Sequence, residues 1–309
     1  MNSRTLLLTA PSKLQWKEQE LPPIGRHDLL VETRVGAISL GTELPRYRGD
    51  ARGSSPASYP AMTGYESLGT VLARGAAVQH IHVGERVVSF YGHQTHAVIP
   101  ADRVTAVPED VSDEVALLVI LTGDVANGLR KLVPAVNEAV LVTGAGAIGL
   151  LAVWVLKALG APAVDVIEPQ ANRRTMALRL GARNAIAPED VTTLREPYAT
   201  GIECSSRDSA FTMLQEAMGP QGRVCVLSDG NIEPLTLAPA FHERELTIVG
   251  SSDCPDYASH ARWYFPIAGE TGQELEQLFD LRIPSDELPD TFARLATGTI
   301  TAMKALVRY

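Results

Sequence analysis

An α/β fold, with a doubly wound parallel sheet in mid-chain and a β-rich region ahead of it, is predicted by three observations. Short β-like runs broken by Pro and Gly fill the chain up to about Ser112. Beyond that point strands alternate with helices as far as Val249, the pattern of a parallel sheet with helical crossovers. A glycine turn from Gly144 to Gly149 follows an apolar strand and opens an apolar helix.

The elements follow in order. Residues 28–33, 68–72 and 86–90 are rich in Val, Leu, Thr and Phe and read as strands of the first region. Residues 113–125 read as the helix that leads into the second. There, strands are expected at 139–143, 163–167, 184–187, 201–204, 223–227 and 246–250, and helices at 148–159, 172–180 and 209–218. Six strands joined by crossovers make a doubly wound sheet. The tail reads as one helix, 288–296, and a last strand, 305–308. No internal repeat or low-complexity tract interrupts this order.

The glycine turn carries the first functional reading. Gly144 permits a tight turn, Gly146 lets backbone approach a pyrophosphate, and Gly149 lets helix pack closely on strand. The N–H groups of Ala147 and Ile148 open the helix, where unpaired donors and the helix dipole favour phosphate. An acid, Glu168, closes the next strand 19 residues beyond Gly149 and can accept both ribose hydroxyls of an adenosine. It would repel a 2′-phosphate, so NAD is favoured over NADP. Arg173 and Arg174 stand just behind it and could pair with such a phosphate. Ser205, Ser228 and Ser251 each follow a strand end, on the rim where open α/β sheets bind ligands; each could equally be a cap or turn residue.

Composition narrows the classes. The chain of 309 residues is long enough for two domains, each with its own core. A formal net charge of −9 argues against general affinity for nucleic acid or an anionic membrane. The longest apolar stretch, residues 147–159, carries Lys157 and is too short for a membrane span, and no signal peptide is evident; a cytoplasmic protein acting on a small molecule is expected. Cys204, Cys225 and Cys254 are widely spaced, with no CxxC pair, which predicts buried thiols rather than a disulfide framework or a cysteine zinc site.

With that order in place, the chain resembles the medium-chain dehydrogenase/reductase superfamily, the group of the zinc alcohol and polyol dehydrogenases. The resemblance rests on Glu20-Leu21-Pro22, Gly41-Thr42-Glu43, the run Pro60 to Val71, Gly84-Glu85-Arg86-Val87, the glycine turn and Leu180-Gly181-Ala182. It implies a Rossmann dinucleotide domain at residues 123–264 and a β-rich, GroES-like catalytic domain built from both chain ends, 1–122 and 265–309. It further implies an oxidoreductase, homodimeric through the edge of the nucleotide sheet.

The departures from the family pattern are informative. Where its zinc enzymes carry Cys before Gly-Thr-Asp, this chain has Leu40; their Gly-His-Glu is Gly64-Tyr65-Glu66; their third ligand falls on about Val119. A catalytic zinc needs three protein ligands and an open position, so zinc is expected to be absent. The cysteine-rich structural-zinc lobe is missing too, the chain passing through Gly92-His93-Gln94-Thr95-His96 directly into Ala97. His93 and His96 have no carboxylate or cysteine at ligand spacing and are expected to line substrate or sit on the surface. Gly-Thr-Glu followed by Gly-Tyr-Glu-Ser resembles the zinc-free branch that includes the bacteriochlorophyllide hydroxyethyl dehydrogenases.

Without a metal, a hydrogen-bond donor must meet the substrate oxygen. Tyr65, in place of a zinc-binding histidine, is the first candidate, and Thr42 occupies the place of the family's proton-relay hydroxyl; either could instead be a structural residue. Glu43 and Glu66 are expected in structural ion pairs. Thr122 matches a threonine beside the nicotinamide, and Asp124 faces either the cofactor or a buried partner. An alcohol–carbonyl dehydrogenase is the leading expectation. An enone or quinone reductase, and a non-catalytic dinucleotide-binding protein, are the alternatives.

Overall fold

The computed structural model describes residues 1–50, 58–132, 138–194, 197–229 and 233–309. The chain divides into two compact units, Met1–Val119 with Ala261–Tyr309, and Ile120–His260.

In chain order the elements begin with a hairpin, β1 (Asn2–Ala10) and β2 (Lys13–Glu20), then β3 (Asp28–Ile38), α1 (Leu40–Arg48), β4 (Ala61–Met62), β5 (Glu66–Arg74), β6 (Arg86–Ser89), β7 (His96–Pro100) and β8 (Thr105–Ala106). Two helices follow, α2 (Asp113–Leu117) and α3 (Val119–Leu132), where the sequence suggests one. Ser112 caps α2 by accepting from the Val115 N–H. The middle of the chain contains β9 (Val140–Thr143), α4 (Ala147–Ala158), β10 (Val164–Ile167), α5 (Ala171–Arg179), β11 (Asn184–Ile186), β12 (Tyr198–Glu203), α6 (Asp208–Ala217), β13 (Met218–Val226), α7 (Pro239–Glu243) and β14 (Thr247–Gly250). Then come α8 (Tyr257–Thr271), β15 (Leu281–Pro284), α9 (Leu288–Ala296) and β16 (Ala305–Arg308).

The Ile120–His260 unit is built on a six-stranded sheet in the order β11-β10-β9-β12-β13-β14, with every pairing parallel. The strand order reverses between β9 and β12, the point where doubly wound sheets bind nucleotides. β9 and β10 are buried at every position, as strands covered on both faces must be, and α4 is buried from Gly149 through Leu156. The connection from β11 to β12 is a 3₁₀ segment, Pro188–Thr193, rather than an α-helix.

The other unit joins both chain ends. Its main sheet runs β15-β16-β3-β5-β6-β8, with β7 also paired to β3, and a smaller sheet runs β2-β1-β4. The amphipathic helix α9 buries Leu288, Thr291, Phe292 and Leu295 at helical spacing. Phe292 and Leu295 pack with Leu6 and Leu8 of the hairpin and Val307 of the last strand in one core. The sequence reading omitted the hairpin, α1 and α8. No helix among the described residues is long and apolar enough to cross a membrane.

Candidate functional site

In the Ile120–His260 unit the glycine turn lies at the C-terminal end of β9, and each glycine has a distinct reason. Gly144 adopts φ +85°, and a side chain there would meet the Ser205 backbone at 2.9 Å. A Cβ on Gly149 would fall 1.9 Å from the Gly144 carbonyl oxygen. A Cβ on Gly146 would meet nothing within 4 Å, so this residue faces open space at the start of α4. Gly146, Ala147 and Ile148 are half-buried, and no side chain caps the helix. An accessible helix N-terminus without a cap leaves its donors to a ligand anion.

Glu168 is buried at the tip of β10, and its carboxylate already holds backbone. Oε2 accepts from the Ala145 N–H at 2.7 Å and Oε1 from the Gln170 N–H at 2.8 Å. It therefore ties the glycine turn to the next strand's end, and each oxygen keeps a lone pair for a further donor. Arg174 donates to the carbonyls of Glu168 and Pro169, whereas half-buried Arg173 makes no ion pair among the described residues.

The rim serines are engaged with protein groups. Glu203, buried at the end of β12, accepts from the Ser205 N–H at 2.6 Å, the Ser205 hydroxyl at 2.5 Å, the Ser206 N–H at 3.0 Å and the Ser228 hydroxyl. Sequence reasoning missed Glu203, although an acid inside an apolar strand run is itself a signal, because a buried carboxylate needs donors gathered around it. The Ser251 hydroxyl accepts from Asn127 Nδ2 at 3.2 Å. Thr122 is buried, with its hydroxyl 3.0 Å from His260 Nε2, and burial pushes the His260 ring down to about 4. Asp124 has a buried partner: its Oδ1 accepts from the Tyr257 hydroxyl at 2.7 Å and the Cys254 N–H at 2.9 Å.

In the other unit, Tyr65 follows the Gly64 turn at the head of β5. Its phenol donates to the Ser39 hydroxyl at 2.6 Å, with the Thr42 hydroxyl also in hydrogen-bonding reach, and its ring stacks on Phe90 with centroids 6.5 Å apart. Burial, reinforced by the neighbouring Glu66 carboxylate, pushes the phenol far above its usual range, so Tyr65 stays protonated.

Glu43 ties the two loops together. One oxygen accepts from the Ser39 N–H at 2.9 Å and the other from the Gly64 N–H at 2.8 Å. Its second oxygen also lies 3.5 Å from His93 Nε2. His93 corrects the expectation of a surface or substrate-lining residue: it is fully buried, edge-on to Phe292 and 3.2 Å from the Tyr309 hydroxyl. Glu66 and Lys304, both buried, form an ion pair at 2.6 Å. Burial pushes the Glu66 carboxyl upward and the Lys304 ammonium opposes that shift. Lys304 and Ser39 were missed because the first lies far away in sequence and the helix that the second opens was not expected.

Comparison with known proteins agrees with this architecture. The zinc-binding dehydrogenase family matches residues 147–261. The L-threonine 3-dehydrogenase of Anaeromyxobacter sp. (strain K) is 30% identical over 253 residues, covering 69% of this chain and 72% of that protein. The chain belongs to the zinc-binding, medium-chain dehydrogenase family. A second member, the L-threonine 3-dehydrogenase of Anaeromyxobacter sp. (strain Fw109-5), is 29% identical over 321 residues, with 90% of this chain and 91% of that protein covered. Among solved structures, a Sinorhizobium meliloti 1021 protein bound to NADP superposes over the full length of both chains with a TM-score of 0.86 at 21% identity, which shows the shared fold. As a family member the chain is an oxidoreductase with a Rossmann-type domain and a small-molecule substrate.

Proposed function

We propose that this protein is an NAD(H)-dependent oxidoreductase that interconverts an alcohol and a carbonyl without zinc, and that Tyr65 is the hydrogen-bond donor to the substrate oxygen. The observation that carries the reading is the chemistry at the three positions where the resemblance puts zinc ligands. Leu40 and Val119 have aliphatic side chains, and the Tyr65 phenol is protonated and bonded to Ser39. Among the described residues, no three His, Cys, Asp or Glu side chains gather where they could hold a metal. The residues do not fit a catalytic zinc, and no step here runs through one.

The residues of the glycine turn do fit a dinucleotide. When bound, a nicotinamide supplies or accepts the hydride. Gly146 offers the open approach for the pyrophosphate, and the N–H groups of Ala147 and Ile148 its donors. Glu168 keeps lone pairs for the adenosine ribose, and its charge disfavours a 2′-phosphate, which supports NAD; Arg173 and Arg174 are the nearby cations in sequence that would take NADP instead. Thr122, Ser205, Ser228 and Ser251 belong to this reading as rim residues held by His260, Glu203 and Asn127.

At the reacting oxygen, Tyr65 stabilises developing negative charge by turning its one phenolic proton from Ser39 to the substrate, while the Ser39 hydroxyl donates to the phenol in its place; such a donor is worth roughly 3 kcal/mol, or a hundredfold or more in rate. Thr42, also within reach of the phenol, supports its orientation. The zinc-free branch of the bacteriochlorophyllide hydroxyethyl dehydrogenases is favoured within the family by Gly64-Tyr65-Glu66-Ser67 and by the apolar surface beside it. Phe90, stacked on Tyr65, is 46% exposed and Met62 is 52% exposed, which suits a substrate with an apolar body. A homodimer through an edge of the six-stranded sheet completes the reading, β14 being an edge strand of that sheet.

The test is Tyr65→Phe, assayed by NADH absorbance with L-threonine, secondary alcohols, ketones, enones and quinones. Turnover with the alcohol–ketone pair falls about a hundredfold while NADH affinity stays within twofold. Wild-type turnover in the variant removes Tyr65 from the mechanism, and reaction with enones or quinones alone replaces the alcohol reading with that of a reductase.

A further inference from the structure

Ser39 is the N-cap of α1, yet its side chain does not cap the helix. A serine at that position ordinarily turns its hydroxyl back to an N–H of the first turn, worth about 1 kcal/mol. Here the Glu43 carboxylate closes on the Ser39 N–H, and the Ser39 hydroxyl is turned away, 2.6 Å from the Tyr65 phenol. A local rule is broken, and the group released by breaking it sits on the residue proposed to meet the substrate oxygen. Ser39 is half-buried, so the residue bonded to the phenol is partly open to solvent.

We propose that Ser39 is a positioning and relay residue that passes the Tyr65 proton to and from water, so that Tyr65 transfers protons without ever becoming a phenolate. The proposal rests on the dehydrogenase reading above. In alcohol oxidation the carbinol hydride leaves for the nicotinamide and the substrate O–H proton moves to the Tyr65 oxygen. The proton already on Tyr65 moves to Ser39 Oγ, and the Ser39 proton moves to water. The reaction yields carbonyl, reduced nicotinamide and one hydrated proton. Reduction runs each transfer backward. The buried, acid-flanked surroundings of Tyr65 make a free phenolate costly, and a concerted exchange through a second hydroxyl avoids it. Glu43 positions the relay by holding the Ser39 and Gly64 N–H groups with one carboxylate.

The experiment measures single-turnover hydride transfer from NADH to acetaldehyde, acetoin, acetophenone and 2-cyclohexenone in mixtures of light and heavy water. Wild type gives a bowed proton inventory, the mark of more than one proton in flight. Ser39→Ala slows the step at least about tenfold, makes the inventory linear and leaves NADH affinity unchanged. Ser39→Thr, which keeps a hydroxyl, restores the rate and the bowing. A Ser39→Ala enzyme with wild-type rate and inventory, or a linear inventory in wild type, overturns the relay while leaving Tyr65 in place. No transfer by wild type to any probe overturns the dehydrogenase reading itself.

Discussion

Replacing Lys304 with Met cuts a fully buried lysine–glutamate ion pair. Lys304 is 1% and Glu66 0% exposed, the nitrogen lies 2.6 Å from Glu66 Oε1, and Oε2 has no hydrogen-bond partner among the described residues. Methionine fills similar space without charge, so the substitution isolates electrostatics from packing. Removing one member of a buried pair costs about 3–5 kcal/mol, because the carboxylate left behind is neither hydrated nor paired. The sign with pH follows from the direction of the Glu66 shift. Burial raises its folded pKa above the unfolded value, and without Lys304 the main opposing charge is gone. Below the unfolded pKa of about 4.3 the carboxyl is neutral in both states and no charge penalty exists. As pH rises toward the folded pKa the penalty grows by up to about 1.4 kcal/mol per unit, then levels off. Urea unfolding of Lys304→Met should therefore show a full deficit at pH 8 and a smaller one at pH 5. The double variant Glu66→Met, Lys304→Met should recover most of the loss. A deficit that is independent of pH, or a double variant as weak as the single one, refutes the reasoning.

Two further outcomes test the other unit. Gly149→Ala sets a Cβ 1.9 Å from the Gly144 carbonyl, more than an ångström inside contact, so the turn must open and NADH affinity by fluorescence titration should fall at least about tenfold, or 1.4 kcal/mol; affinity within threefold of wild type contradicts this role. The His260 ring should titrate by NMR near pH 4 rather than about 6.5, so its contribution to stability is present above pH 6.5 and lost as pH falls toward 4; a midpoint near 6.5 denies the burial that causes the shift.

Much of the α/β unit was legible because its signals are local. Every expected strand of the parallel sheet overlaps an observed one, since continuous apolar runs such as 139–143 and 163–167 have few alternatives once Gly and Pro bound them. The tail helix and strand coincide with α9 and β16 for the same reason. The N-terminal hairpin was harder to see, because β2 is largely exposed and its residues Lys13–Glu20 are mostly charged or polar. Helix α1 was masked by Pro45 and two glycines at its ends. In the candidate sites, residue identity pointed to Tyr65, Glu168 and the glycines, and nothing local revealed what holds them. Lys304 reaches Glu66 across 238 residues and Ser39 reaches Tyr65 across 26, so both partnerships exist only after folding. Ser205 and Ser228 were expected as ligand contacts or as cap and turn residues because each follows a strand end, and only folding turns their hydroxyls to Glu203.

The central claim is that the chemistry proceeds without a metal, and metal content measured together with turnover tests it most directly. Protein dialysed against a strong chelator and assayed by mass spectrometry for zinc should hold well under one metal per chain and reduce its carbonyl substrate with NADH at the undialysed rate. One zinc per chain, with activity lost on its removal and restored on its return, would contradict the account.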